Sequence, residues 1–211
     1  MSEQAEQPPV KLYYDPLSIA RRTSQKSHLV NEHDKKAFLL HIIKKNAYTN
    51  TVVVTKTKRD ADTLSKHLQS QDIKALAIHG NKSAKECSEG LKAFNENEVD
   101  VLISTDMILI SLKLTTVSQL ISYNIPIDVT HYYARLVILN EKGEGIALVS
   151  KKEEHLMNAI EFAMKVEILK EEVGDFTHTM DIKEERFLKD KTKKPRHKKN
   201  KGKKEKQTKE A

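Results

Sequence analysis

A single α/β domain, with a parallel sheet and flanking helices and a disordered basic tail after it, is the fold class the sequence predicts. Three observations lead there. Short β-branched runs alternate with helical patterns roughly a dozen residues long, an order that signals parallel strands joined by helical crossovers. With 211 residues and 38% apolar content, the chain can bury one core but rarely two. Basic charge is concentrated at one end: Arg186 to Ala211 holds 13 Lys or Arg against 3 Asp or Glu, a net +10 that leaves −3 for the rest of a chain whose total is +7.

In chain order, "EHDKKAFLLHIIKKN" (Glu32 to Asn46) predicts a helix with Ala37, Leu40 and Ile43 on its inner stripe. "TVVVT" (Thr51 to Thr55) predicts a strand, after which Ala61, Leu64 and Leu68 recur at helical spacing. "KALAIHG" (Lys74 to Gly80) is the next strand. Ser83 can cap the helix that follows, with Glu86 in capping-box position and Leu91 and Phe94 facing inward. "VDVLIST" (Val99 to Thr105), "SQLISYNIP" (Ser118 to Pro126) and "GIALVS" (Gly145 to Ser150) supply three more strands. Between the last two, "DVTHYYARL" suits a short helix carrying Val129, Tyr132, Tyr133 and Leu136. A long amphipathic helix from Lys152 to Glu172 closes the domain. Ligands of such sheets usually bind at the carboxyl ends of the strands.

Several chemistries find no footing. Cys87 is the only cysteine, so neither an intramolecular disulfide nor a cysteine zinc cluster can form, and a reducing compartment is expected. The nine histidines are scattered, none in a His-Glu-x-x-His helix, and His28 with His33 lacks companion ligands, so no metal site is expected. No Gly-x-Ser-x-Gly elbow occurs. The N-terminal "MSEQAEQPPV" is polar and acidic, and no run reaches the roughly 18 apolar residues that span a bilayer. A soluble cytoplasmic protein without a membrane partner is the reading. After Leu188 no large apolar residue remains, so residues 189–211 cannot offset the entropy of ordering. The tail either solubilises the chain or attracts a polyanion, RNA foremost. Lys193, Lys194, Arg196, Lys198 and Lys199 would attract phosphate without reading sequence, because the segment has no aromatic residue and no Arg-Gly repeat.

Five segments in one order, "TKTKRDADTLSKHL", "IKALAIHGNKSAKE", "LKAFNENEVDVLISTDM", "ISYNIP" and "GIALVS", resemble the C-terminal RecA-like lobe of DEAD-box RNA helicases. "IHGNKS" looks most like the bacterial RhlE-type subgroup. The likeness runs from about Leu29 to Leu169, and "YYDPLSIARRTSQKSHLVNEHDKKAFLLHII" is similar to the segment that joins the two lobes of that family. The division it implies is an N-terminal linker-like segment at 1–28, the RecA-like domain at 29–172, a linker at 173–188 and the Lys-rich tail at 189–211.

The same resemblance implies what is missing. No Gly-x-x-x-x-Gly-Lys-Ser/Thr loop and no Asp-Glu-Ala-Asp sequence occurs, so no cofactor is expected, and ATP only if a partner lobe supplies the phosphate loop. Where the family continues Thr-Asp into Ala-Arg-Gly-Leu-Asp, this chain has Ile110 for the arginine and Lys113 for the aspartate. Thr105 and Asp106 do match. Thr105 then either donates to an RNA phosphate, or caps the chain turn while Asp106 accepts backbone N–H bonds. Of the arginine-finger motif only Arg135 is retained; Ile138 and Glu141 stand at the two finger positions, so no catalytic residue is assigned and Arg135 is expected in a structural ion pair. RNA-facing candidates are Lys56, Thr57, Lys58 and Arg59 after the first strand, where a solvated helix start is the plain alternative, and Gly80 after His79. The family's Gln and Arg beyond that turn become Ala84 and Cys87. The resemblance therefore implies a degenerate, non-catalytic RNA-binding or ribosome-associated accessory module. Its alternatives are a helicase subunit completed in trans by a separate ATP-binding lobe, and a truncated or decayed helicase.

Overall fold

A computed structural model describes residues 18, 23–115, 117–139 and 143–179. Seven strands form one sheet: β1 (Ser24–Leu29), β2 (Thr51–Thr55), β3 (Ala75–Ile78), β4 (Val101–Thr105), β5 (Gln119–Ser122), β6 (Glu144–Val149) and β7 (Leu169–Lys170). Their order across the sheet is β3-β4-β2-β5-β6-β1-β7, and every pairing is parallel. All carboxyl ends of the strands thus lie along one edge.

Period-two alternation sends the side chains of each strand to two cores. From β2, Val52 and Val54 enter one core while Val53 enters the other; β4 divides Leu102 from Val101 and Ile103 in the same way. Two helices, α1 (Lys35–Asn46) and α2 (Lys58–Gln69), cover the second core with Phe38, Leu39, Ile42, Ile43, Ala61, Leu64 and Leu68. The first is covered by α3 (Ala84–Asn95), α4 (Asp106–Leu109), α5 (Val129–Val137) and α6 (Glu154–Met164). Strands buried on both faces explain why the sequence shows apolar runs there rather than alternation.

Helix starts follow their capping chemistry. Thr57 accepts a hydrogen bond from the Asp60 amide at 3.0 Å, and Asp128 one from the Thr130 amide at 2.8 Å. Ser83 and Glu86 form the expected reciprocal box.

Three elements differ from the sequence expectation. The inner stripe of α1 is Phe38, Leu39, Ile42 and Ile43, whereas Ala37 is exposed and Leu40 only half-buried. Ala37 and Leu40 lie on the flank because the pairs 38/39 and 42/43 centre the apolar arc elsewhere. The last helix ends at Met164, not Glu172: Lys165 turns left-handed at φ 53°, Glu161 accepts the Ile168 amide at 2.9 Å, and Leu169–Lys170 becomes edge strand β7 beside β1. The strand β1, "SQKSHL", was not expected at all, and it crosses the boundary drawn at residue 28. It carries no β-branched residue; its fit comes from partners on both sides, β6 and β7. Beyond β7, Val173 and Phe176 pack on the second core, with Phe176 edge-on to Phe38 at 4.9 Å between ring centroids. The segment read as the start of a linker is therefore a strap across α1.

Candidate nucleic-acid interface

Adjacent strands β3, β4 and β2 end side by side, and their first loop residues meet in one open cleft of about 720 Å³. Its walls include Lys56 and Lys58 after β2, Gly80 after β3, Thr105 at the end of β4, and Asp106, Met107 and Ile110 beyond it. Four sequence-predicted RNA residues, Lys56, Lys58, Gly80 and Thr105, are brought together there. Arg59 stands exposed in the same helix start. Thr57 is instead committed to its own helix: its hydroxyl donates to Asp60 Oδ2 at 2.7 Å and accepts from the Asp60 amide. Lys193, Lys194, Arg196, Lys198 and Lys199 lie outside the described residues, as does Glu141.

The basic wall is partly tied. Lys58 Nζ donates to Asn81 Oδ1 at 2.7 Å, linking the β2 and β3 loops across Gly80. Behind it, the buried His79 ring holds Nε2 3.0 Å from Asp62 Oδ1, and Lys82 approaches the same carboxylate at 3.6 Å. His79, and then Lys82, hold the Asp62 carboxyl below its ordinary range. A Cβ added to Gly80 would meet Lys58 and Ile108 only at ordinary contact distances of 3.5 to 3.7 Å. Internal crowding therefore does not demand a glycine at this position.

The Thr105-Asp106 pair takes neither of the roles expected of it as a turn. Thr105 makes no side-chain capping bond. Asp106 accepts a bidentate pair of bonds from Arg135, Nε to Oδ1 at 2.6 Å and Nη2 to Oδ2 at 2.7 Å, while Arg135 Nη1 donates to the Asn124 carbonyl at 2.8 Å. The arginine is 1% exposed and the aspartate 23%. Every face of the guanidinium that could grip a phosphate is thereby occupied or covered. The expected ion pair of Arg135 is present, and its partner is the aspartate that was expected to bind backbone. Ile138 is the residue following α5 and packs half-buried against the first core.

A second polar cluster on this edge escaped sequence reasoning. Lys35, fully buried at the start of α1, donates to the Tyr123 carbonyl at 3.0 Å and to Glu153. Glu153 also accepts from the Ser150 amide at 3.0 Å, the Ser150 hydroxyl at 2.6 Å and the Ile125 amide at 3.2 Å. Burial pushes the Glu153 carboxyl up, but the bonds from Lys35 and Ser150 outweigh it and hold the group below its usual range. Burial also pushes the Tyr123 phenol up to about 12. The available signal was Ser150-x-x-Glu153, a capping spacing at a strand end; nothing local marks Lys35. Among the described residues, no group of three His, Cys, Asp or Glu could hold a metal ion, and no helix is long and apolar enough to cross a membrane.

This seven-strand order with its carboxyl-edge cleft has relatives. Residues 34–137 match the helicase conserved C-terminal domain. Residues 34–137 form a helicase C-terminal domain similar to those of DEAD-box proteins. Among curated proteins, the DEAD-box ATP-dependent RNA helicase RhpA of Helicobacter pylori is 29% identical over 149 residues, 69% of this chain. The chain spans about 30% of that relative's length. A DEAD box protein from the hyperthermophile Methanococcus jannaschii superposes with a TM-score of 0.68 at 27% identity, over 73% of this chain and 43% of the other. Dbp5 of S. cerevisiae, solved bound to RNA and ADP BeF3, gives 0.67 at 22% identity, over 80% of this chain and 44% of the other. The helicase C-terminal domain match begins at Asp34, after β1, so the strap, β7 and β6 lie outside it while the cleft lies wholly within it.

Proposed function

We propose that this chain is a non-catalytic RNA-binding accessory module, a degenerate DEAD-box C-terminal lobe that holds RNA through its tail and, weakly, through the cleft. The observation that carries the reading is the convergence of exposed Lys56 and Lys58 with Gly80 and Thr105 in one open cleft, while the single retained finger-motif arginine is locked to Asp106. Cations at a cleft rim attract phosphate and can track an RNA backbone without reading its sequence. That Dbp5, part of which shares this fold, was solved bound to RNA supports the same direction.

Catalysis is a different matter. Fingers are worth about 10³ to 10⁵ in rate for phosphoryl transfer, and the finger positions here hold Ile138 and Glu141. Completion in trans by an ATP-binding lobe would still lack them, so the accessory role is the better reading.

Titration of a labelled single-stranded RNA into the intact chain, a form lacking 189–211, and K56A/K58A/R59A tests it at two salt concentrations. Expected is tight, salt-steep binding by the intact chain and weak binding by the shortened form that the triple substitution removes. Each neutralised phosphate should contribute a log–log salt slope of about −0.7. No binding by the shortened form at low salt would refute a role for the cleft. RNA-stimulated ATP turnover by the purified chain would refute the non-catalytic reading.

A further inference from the structure

Met107 and Ile110 are the apolar side chains that the cleft leaves in solvent, at 84% and 61% exposed. Three residues apart on and just beyond α4, they lie on one face of its turn. Their mount is rigid. Leu109 is buried in the first core, Ile108 is half-buried against it, Ser111 Oγ donates to the Ile108 carbonyl at 2.7 Å, and Asp106 is clamped by Arg135. A short helix anchored on its inner side at both ends must present its outer side chains to whatever enters the cleft.

The two walls ask for different things. Lys56, Lys58 and neighbouring Arg59 match an anionic ligand, which would gain nothing from Met107 and Ile110. An apolar ligand would cover those two and leave the cations unmatched. Unpaired RNA satisfies both, because its phosphates carry charge while its unstacked bases offer flat apolar faces. Duplex RNA keeps those faces stacked and cannot. Apolar wedges of Met and Ile placed against base steps are an established way for proteins to hold nucleic acid unstacked.

We propose that Met107 and Ile110 form an apolar wedge that packs against unstacked bases of single-stranded RNA whose backbone follows Lys56, Lys58 and Arg59. The inference rests on the reading of this cleft as RNA-facing and adds the part of RNA that it touches. No polar group stands on the wedge, so it selects unpaired bases over phosphate alone without distinguishing one base from another.

The full chain serves for the test, because the tail responds to phosphate and contributes equally to strands of equal charge. A uridine-rich 12-mer and an abasic strand of the same length and charge are titrated against wild type, M107S/I110S and K56A/K58A/R59A. Wild type is expected to prefer the 12-mer about fivefold, the low end of a base contact. M107S/I110S should bind both strands alike with an unchanged melting temperature, and the triple variant should weaken both while keeping the preference. Equal binding of both strands by wild type overturns the wedge and leaves the pair as a polypeptide-docking face. A preference that survives in M107S/I110S overturns it too, placing base contact elsewhere. Failure of the underlying reading shows differently, as a triple variant that binds both strands as wild type does.

Discussion

Asp106→Ala isolates the clamp that removes Arg135 from ligand chemistry. The substitution deletes both bonds of the bidentate pair and leaves a guanidinium that is 1% exposed with one remaining partner, the Asn124 carbonyl at 2.8 Å. Stranding one member of a buried pair costs about 3–5 kcal/mol. The surviving bond, and the 23% exposure through which water can reach the vacated carboxylate position, place the expected loss at the low end, about 3 kcal/mol. For a chain of this size that lowers Tm by about 6–12 °C. Urea denaturation with a thermal melt measures it. The compensating double variant D106L/R135M should recover most of the loss, since an apolar pair needs no desolvation. A cost of Asp106→Ala below about 1 kcal/mol would refute the reasoning, because the guanidinium would then be free to leave the pocket and meet a phosphate.

Three further outcomes are expected. Glu153 has its carboxyl below the ordinary value of 4.5, so its contribution to stability is complete above that value and is lost as pH falls through the depressed one; Glu153→Gln should flatten the acid limb of stability measured by urea midpoints from pH 6 to 3. Phe176→Ala should cost about 1.5–2.5 kcal/mol, less than a fully buried phenylalanine, by freeing the strap from Phe38; an unchanged urea midpoint would mean that the strap does not hold α1. Removal of 189–211 should leave the melting temperature within about 2 °C, since the segment brings no large apolar residue to the core.

Sheet and helices were legible where burial writes itself into composition. Strands β2, β4 and β6 are apolar because both their faces are covered, and α2 and α3 declare themselves through caps and spacing. Illegible elements depend on distant partners. In β1, Lys26 is balanced by Glu144 at 2.9 Å and His28 Nδ1 donates to the Glu171 carbonyl at 2.7 Å, contacts more than a hundred residues away in sequence. The same holds for the site. Lys56, Lys58, Gly80 and Thr105 each sit at a predicted strand end, so a parallel sheet brings them together once the order of strands is known. The Lys35 to Glu153 pair required the packing of α1 beside the β5 and β6 loops, which no local pattern encodes.

The clamp and the wedge follow from one another. The bond from Arg135 draws Asp106 inward towards α5 and Asn124, and an α-helical turn that points residue 106 and residue 109 into the protein turns residues 107 and 110 outward. An arginine at position 110 would therefore reach into the cleft from a fixed base and add a third cation to Lys56 and Lys58. Isoleucine on the same mount reaches the same space without charge. On the proposed RNA-facing reading, the mount is kept while the chemistry at that point is apolar and not phosphate-seeking. Ile110→Arg should accordingly raise affinity for the abasic strand and steepen its salt slope by about 0.7, one more neutralised phosphate. An unchanged slope would mean that the side chain at position 110 does not lie along the backbone path.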